Sequence, residues 1–544
     1  MQPTSDVKHY QSDVVIIGGG LAGIVAALEL LTVGKRVTLL ERDSEENFGG
    51  LAKESFGGIL LVGTPEQRRS GIHDTPELAL HDWLSFGDFG CDEAGEYWPR
   101  RWAEAYVNES HGEIYRWLKP RGIGFLPLPL WVERGLHGGG NSVPRWHVTW
   151  GTGHRLATQL IRTLHAHPRR EALTIKFGHR VENLTDDAGR ISGCRGVTEG
   201  DREEFIAQAD AVLVAAGGIN GNIERVRQHW HAHWGSPPQT ILNGAHKFAD
   251  GMLHDAVQAA GGNITNLDRM WNYAAGVHHW KPRQPGHGLS LVPPHSALWL
   301  NWRGERIGPH PLVSGFDTRD LVTQICRQEK QYSWQLLNHT IALKELAVSG
   351  AEFNPSIREK SVLGFVRDMV FGNRRLVDQM TQNCIDFVTA SSLPELVHKM
   401  NALQGDGAVD LDTVSAACER YDAEISRGPA FHNDEQLRCI AHLRKWRGDR
   451  MRTCKFQKIL DKNARPLIAV REFIISRKSL GGIQTDLDSR VLSGAGDPIP
   501  GLYAAGEAAG FGGGGMNGLR GLEGTFLGGC ILSARRAAHA IAKQ

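Results

Sequence analysis

Residues Asp13 to Glu41, DVVIIGGGLAGIVAALELLTVGKRVTLLE, leave this chain few architectures. The apolar run Val14 to Ile17 is too short for a helix and rich in β-branched residues, so it reads as a buried parallel strand. Gly18, Gly20 and Gly23 follow at G-x-G-x-x-G spacing, then an Ala/Leu-rich helix to about Leu31 that Gly34 breaks. A second buried strand, Val37 to Leu40, ends in Glu41. Each glycine has its own mechanical task. Gly18 permits the tight turn, Gly20 lets the backbone approach a pyrophosphate, and Gly23 brings helix and strand close together. The helix N-terminus turns unpaired N–H groups and a positive dipole end toward the phosphates. Glu41 offers a carboxylate to ribose hydroxyls at the end of the second strand. Strand, turn, helix, strand and acid in register predict dinucleotide binding.

Composition narrows the partners. The 544 residues carry a formal net charge of +1, so nothing draws the chain to nucleic acid. Its most basic stretch, Arg438 to Lys458, also holds Asp449 and reads as a solvated helix surface. Eight cysteines are scattered without a C-x-x-C pair, which argues against zinc, an iron–sulfur cluster, c-type haem and a disulfide framework. No metal site is predicted, and a reducing cytoplasm fits best. The N-terminus, MQPTSDVKHYQS, has no apolar signal core, and no apolar segment reaches the ~18 residues of a membrane span.

Along the chain, Gly49-Gly50 and Gly57-Gly58 with Ser55 between them form a second glycine-rich loop: a plain turn, or donors along the rest of a dinucleotide. Residues 74–130 read as helices whose many Trp and Tyr side chains are core. Ala211 to Val214 is a third buried strand, ending at Gly217-Gly218, and Asp250 is a predicted N-cap of a further helix. Residues 264–466 lack glycine fingerprints and carry Trp271, Tyr273, Trp280, Trp299, Trp302 and Trp334. They read as an inserted second domain. After Pro466 the fingerprints return, with Gly481-Gly482, the strand before Gly506-Glu507, and a last helix from Gly524. The predicted organisation is α/β: a discontinuous Rossmann-like unit (1–263 and 467–544) around an α+β cap (264–466).

These motifs together, including Ala215-Ala216-Gly217-Gly218 and Gly501-Leu-Tyr-Ala-Ala-Gly506-Glu507, resemble the fumarate reductase / 3-ketosteroid Δ1-dehydrogenase superfamily of flavoproteins. The tail GGGGMNGLRGLEGTFLGGC is most similar to its ketosteroid-dehydrogenase-like branch. The resemblance implies bound FAD, with no nicotinamide site, and a substrate held between the FAD domain and a cap. It implies that Gly18, Gly20, Leu21, Ala22 and Gly23 hold the pyrophosphate and that Glu41 and Arg42 lie at the adenosine end. Gly49, Gly50, Leu51, Ala52, Ser55, Gly57 and Gly58 would flank diphosphate and flavin. Val181 and Asp250 would lie toward the adenosine, Ala216 and Gly217 would close the loop, and Gly506 and Glu507 would meet the ribityl chain. Gly524, Thr525 and Phe526 would lie at the flavin pyrimidine edge. The loop from Ala52 to Ser55 has no histidine, so the FAD is expected to be non-covalent.

Two proton-transfer schemes follow from the resemblance. In the ketosteroid scheme a tyrosine removes the proton beside a ketone; Tyr273 and Tyr332 lie in the cap, where core packing is the plainer reading. The family's Tyr-Pro-Gly-Pro-Gly turn is absent, and Gly518-Leu-Arg520-Gly-Leu-Glu523-Gly524 stands in its place. In the fumarate scheme arginines grip carboxylates. Arg520 matches the substrate-binding position, or else bonds Glu523. Arg319, in Thr318-Arg319-Asp320, echoes the proton donor, or else Asp317 to Asp320 cap a helix at the surface. The expected activity is dehydrogenation of a carbonyl-activated C–C bond in an apolar ketone such as a 3-ketosteroid. The alternatives are reduction of a small unsaturated carboxylate and a flavin-binding redox partner without its own substrate. Electron acceptor and oligomeric state stay open.

Overall fold

The computed structural model describes residues 7–136, 138–308 and 310–544. The first six residues of the polar N-terminus lie outside them. The strand Val14–Ile17 sits in the middle of a six-stranded sheet, parallel to Val37–Leu40 on one side and Ala211–Val214 on the other. Leu173–Lys176 extends one edge. Pro498–Ala504 and then the antiparallel Arg490–Leu492 extend the other. The four residues of Val14–Ile17 are all buried, because both faces of the sheet are covered. Alternation divides them between two cores. Val14 and Ile16 pack under the helices Leu21–Thr32 and Thr525–Ala542, whereas Val15 and Ile17 face a core built with Phe205, Val257 and Leu502. The chain ends therefore meet: the first and last helices of the flavin domain lie side by side.

A second sheet of eight strands carries the cap. Its spine is Leu467–Ser479, which pairs antiparallel with Met270–His278, Tyr332–Asn338 and Phe387–Ala390 and parallel with Ile241–Asn243. The sequence assigns that spine to the returning flavin domain, whereas the structure pairs it with cap strands. A continuous apolar run such as LIAV reads as a buried strand in either sheet, so periodicity alone does not choose between them. Past Ser479 the chain crosses back. Arg477 and Lys478, at the end of the spine, are thereby delivered to the boundary between cap and flavin domain.

Three smaller expectations meet the structure differently in detail. The first helix ends at Thr32. The loop after Gly49 contains a short helix, Gly50–Glu54. The helix at 252 is capped by Gly251 in the left-handed region (φ 83°), while Asp250 accepts from the Met252 N–H at 3.0 Å. Among the described residues no helix is long and apolar enough to cross a membrane.

Candidate active site

A long cleft runs over the C-terminal ends of the parallel strands, where a doubly wound sheet places ligands. Gly18 turns at φ 109°, and a Cβ there would stand 2.4 Å from the Ala215 carbonyl. Gly23 is tighter: its Cβ would stand 2.0 Å from the Gly18 carbonyl. Gly20 is the reverse case, since a Cβ there would meet no protein atom within 4 Å. Two of the three glycines are thus demanded by the chain itself, and Gly20 by something outside it. The helices Leu21–Thr32 and Thr525–Ala542 both start at glycine caps, Gly20 and Gly524, with no side-chain bond to their first N–H groups. Leu21 and Ala22 of one, and Phe526 and Leu527 of the other, line the cleft. Open helix N-termini attract phosphate and delocalised negative charge.

Glu41 is locked at the adenosine end: Gly19 N–H donates to one carboxylate oxygen at 2.5 Å and Asp43 N–H to the other at 2.7 Å. Arg42 spans Glu199 (2.5 Å) and Asp250 (2.6 Å), and its guanidinium lies 4.2 Å over Phe248. The expected contact residues Gly49, Gly50, Leu51, Ala52, Ser55, Gly57, Gly58, Val181, Ala216, Gly217, Gly506 and Glu507 also line the cleft. Gly23, Gly524 and Thr525 are set behind its wall. Gly23 lets the first helix close on the Gly18 turn. The Gly524 carbonyl accepts from Leu60 N–H at 2.8 Å, and the Thr525 hydroxyl donates to Asn517 at 2.7 Å. Three buried polar atoms of cleft-lining residues, Trp146 Nε1, His254 Nε2 and Arg477 Nε, have no partner among the described residues. Open dipole ends, an unfilled space at Gly20, a seated carboxylate and partnerless polar atoms fit FAD.

The far end of the cleft holds the reactive groups. Tyr273 projects from the cap strand Met270–His278, and its hydroxyl donates to Glu523 Oε2 at 2.9 Å. Trp271 Nε1 donates to the same oxygen at 3.3 Å. Lys478 Nζ stands 4.3 Å from the Phe526 ring centroid and 5.7 Å from that of Tyr273. Burial pushes the Tyr273 hydroxyl well above its ordinary pKa, and the Glu523 charge adds to that shift. Burial lowers the Lys478 ammonium, against the pull of Glu523 and Glu507. Burial raises the Glu507 carboxyl, which accepts from Ser479 N–H at 2.9 Å. Sequence reasoning does not single out Lys478. Its signal is a pair of cations, Arg477 and Lys478, near the end of a buried apolar strand, with Ser479 and Leu480 between them and the pair Gly481-Gly482.

The other proton-transfer candidates do not line the cleft. Tyr332 is buried in the cap core beside Trp334 and Phe473, with its hydroxyl unpartnered, because its place on the strand turns it to the same face as Trp334. Arg319 lies buried over Trp234 at 4.4 Å. Arg520 does not pair with Glu523; its Nη1 donates to Asp317 Oδ2 at 2.5 Å. Asp317 caps the helix Thr318–Cys326 through the Asp320 N–H at 2.9 Å. The helix-cap reading of this segment holds, although Asp317 is buried rather than on the surface. Arg520→Ala is expected to lower stability by about 1–2 kcal/mol, since Asp317 loses its counter-charge but the arginine is 37% exposed. Urea denaturation at neutral pH checks this, with the flavin spectrum unchanged.

The model of the family described as "FAD binding domain" matches residues 13–527. A KsdD-like steroid dehydrogenase of Mycobacterium tuberculosis (strain CDC 1551 / Oshkosh) is 43% identical over 560 residues, covering 99% of this chain and 97% of the relative. Among solved structures, 3-ketosteroid-Δ4-(5α)-dehydrogenase from Rhodococcus jostii RHA1 superposes with a TM-score of 0.63 at 22% identity, over 100% of this chain and 99% of the other. The open conformation of a flavocytochrome c3 fumarate reductase gives 0.67 at 18% identity, over 98% and 78%. Those two likenesses establish the fold. The chain belongs to the FAD binding domain family, among the KsdD-like steroid dehydrogenases, and FAD is its cofactor.

Proposed function

We propose that the chain dehydrogenates a carbon–carbon bond next to the carbonyl of an apolar ketone of the 3-ketosteroid class, with Tyr273 and Glu523 moving the proton. The observation that carries this reading is the Tyr273 hydroxyl bonded to Glu523 inside the cleft, with Lys478 beside it. Bound FAD supplies the acceptor for the hydride that leaves the substrate. The chain's own residues handle the proton. Tyr273 is a neutral hydroxyl at physiological pH, because burial and the neighbouring carboxylate both oppose its ionisation. Its oxygen takes the proton α to the ketone as its own proton passes to Glu523, so no free phenolate forms. Trp271 holds the receiving carboxylate in place. Lys478 places positive charge where the proton leaves and negative charge develops.

The carboxylate-reductase reading gives substrate binding and proton delivery to Arg520 and Arg319, and these lie off the cleft, engaged with Asp317 and Trp234. The apolar walls, with Phe56, Trp146, Phe511 and Phe526, suit a bulky apolar ligand. We place the protein in the cytoplasm on its cysteines: all eight are free thiols, five of them buried, as a reducing compartment keeps them; Cys530, half-buried, lines the cleft with its thiol pushed up to about 12 by burial, and so is inert.

The test is anaerobic reduction of the flavin by 4-ene-3-ketosteroids, saturated ketones and C4 dicarboxylates. Bleaching by a ketosteroid is the expected result. Indifference to ketones, with reoxidation of the reduced enzyme by fumarate-like acids, overturns the reading. A pH profile adds a second check. Because burial lowers the Lys478 ammonium, its proton is lost as pH rises at lower pH than from an ordinary lysine, near 10.4. The rate of flavin reduction should fall on that alkaline limb, and Lys478→Arg should move the fall to higher pH.

A further inference from the structure

The helix Val362–Phe371 is unlike its neighbours. Among described helices of eight residues or more it alone has no buried side chain. Val362, Leu363, Val366, Val370 and Phe371 are 62%, 85%, 51%, 67% and 77% exposed, five of the ten exposed large apolar side chains among the described residues. Val362, Val366 and Val370 recur at i, i+4 and i+8, so they form one stripe, with Leu363 and Phe371 beside it. The opposite side is fastened down. Phe365 packs edge-on against Trp150 (centroids 5.9 Å apart), and Asp368 bonds Ser356. Ser361 caps the N-terminus through the Gly364 N–H at 3.1 Å. The apolar stripe is held outward by design of the contacts beneath it.

The charges around the stripe have one sign. Glu359 and Asp368 are neutralised by Arg358 (2.7 Å) and Arg367 (2.9 Å). Lys344, Lys360, Arg374 and Arg375 are exposed and make no ion pair among the described residues. We propose that this helix is a monotopic docking element for an anionic lipid surface, its apolar stripe inserted at the headgroup boundary and its four free cations on the lipid phosphates. A convex amphipathic helix with a cationic rim has the chemistry for that seat. A second copy of the chain is the poorer occupant. Two copies meeting through this stripe would set two cationic rims against each other, and like charges across an interface oppose association. Arg358, just before the helix, lines a polar cavity that shares Gly50, Leu51, Ser349 and Arg477 with the flavin cleft. Docking would thus hold that side of the cleft near a bilayer, the phase in which an apolar ketone dissolves. Only this last consequence rests on the ketone reading.

The experiment is co-sedimentation of FAD-loaded enzyme with vesicles of phosphatidylcholine containing one-third phosphatidylglycerol, against phosphatidylcholine alone. Binding to the anionic vesicles that weakens with salt is expected. The triple variant Leu363→Gln/Val370→Gln/Phe371→Gln should bind about tenfold more weakly, with flavin content and turnover of a water-soluble ketone unchanged. Charge reversal by Lys344→Glu/Arg374→Glu/Arg375→Glu should do the same through the rim. No vesicle binding, or binding that neither variant weakens, overturns the proposal. So does a dimer in sedimentation velocity that the apolar variant dissociates, for the stripe would then cover a second copy.

Discussion

Tyr273→Phe is expected to slow flavin reduction by a ketone about 10²–10⁴-fold, the usual contribution of a positioned general acid–base group. The reasoning runs from the bond upward. Phenylalanine keeps the ring and its packing near Trp271 but removes the only oxygen that reaches Glu523 Oε2 from this strand. Glu523 stays seated by Trp271 Nε1, so the variant should fold, with a loss of about 1 kcal/mol for the missing hydrogen bond. FAD content should also survive, because the cradle at Gly18 to Gly23 and Glu41 lies at the other end of the cleft. Glu523→Gln should slow the same step by a similar factor, since an amide does not accept the proton. The double variant should be little slower than either single one, as members of one relay act as a unit. Anaerobic stopped-flow absorbance of the flavin measures all three. A Tyr273→Phe enzyme reduced at nearly the wild-type rate would remove the tyrosine from the mechanism. Multiplicative losses in the double variant would separate the two residues into independent roles.

The parts that were legible in the sequence are those whose physics is local. The turn at Gly18 and the contact between Gly23 and the Gly18 carbonyl are forced by backbone sterics within a few residues, and the G-x-G-x-x-G spacing records both. Glu41 was legible because a strand end fixes where its carboxylate goes. Asp317 as a helix cap was legible for the same reason: it bonds an N–H three residues on. What escaped depends on distant partners. Whether Leu467–Ser479 joins the flavin sheet or the cap is decided by strands as far back in the chain as Ile241–Asn243 and Met270–His278. Whether a cap tyrosine reaches the cleft is decided by the strand and face that carry it: Tyr273 meets Glu523, while Tyr332 shares a face with Trp334 and packs beside Phe473. Lys478 escaped because a lysine ending a strand ordinarily reaches solvent, and here the last helix of the chain packs over it. Glu523 read as a partner for Arg520 because they are neighbours in sequence, yet Asp317 is closer in space.

Gly20→Val should abolish FAD retention and leave the apoprotein folded, a separation that neither flanking glycine permits. Gly20 has φ −72° and ψ −175°, ordinary values for any residue, and a Cβ there meets no protein atom within 4 Å. The chain itself therefore imposes no glycine at this position. Yet the position stands at the N-terminus of Leu21–Thr32, where the pyrophosphate must approach the open N–H groups. An isopropyl group there occupies the ligand's space. We expect at least ~100-fold weaker FAD binding, about 3 kcal/mol, with the apoprotein's midpoint in urea unchanged. Gly23→Val is the opposing control. Its Cβ would lie 2.0 Å from the Gly18 carbonyl oxygen, so helix and turn must separate, at a cost of about 1–3 kcal/mol or more. FAD binds only the folded state, and at a hundredfold excess over Kd it adds about 2.7 kcal/mol to wild-type stability. Gly20→Val should forfeit that increment alone, whereas Gly23→Val should lose stability with or without FAD. Flavin-to-protein ratio after gel filtration, read beside denaturation of stripped protein, distinguishes them. If Gly20→Val keeps its flavin, the pyrophosphate does not pass over Gly20. If its apoprotein unfolds as readily as Gly23→Val, the glycine serves the chain and not the cofactor.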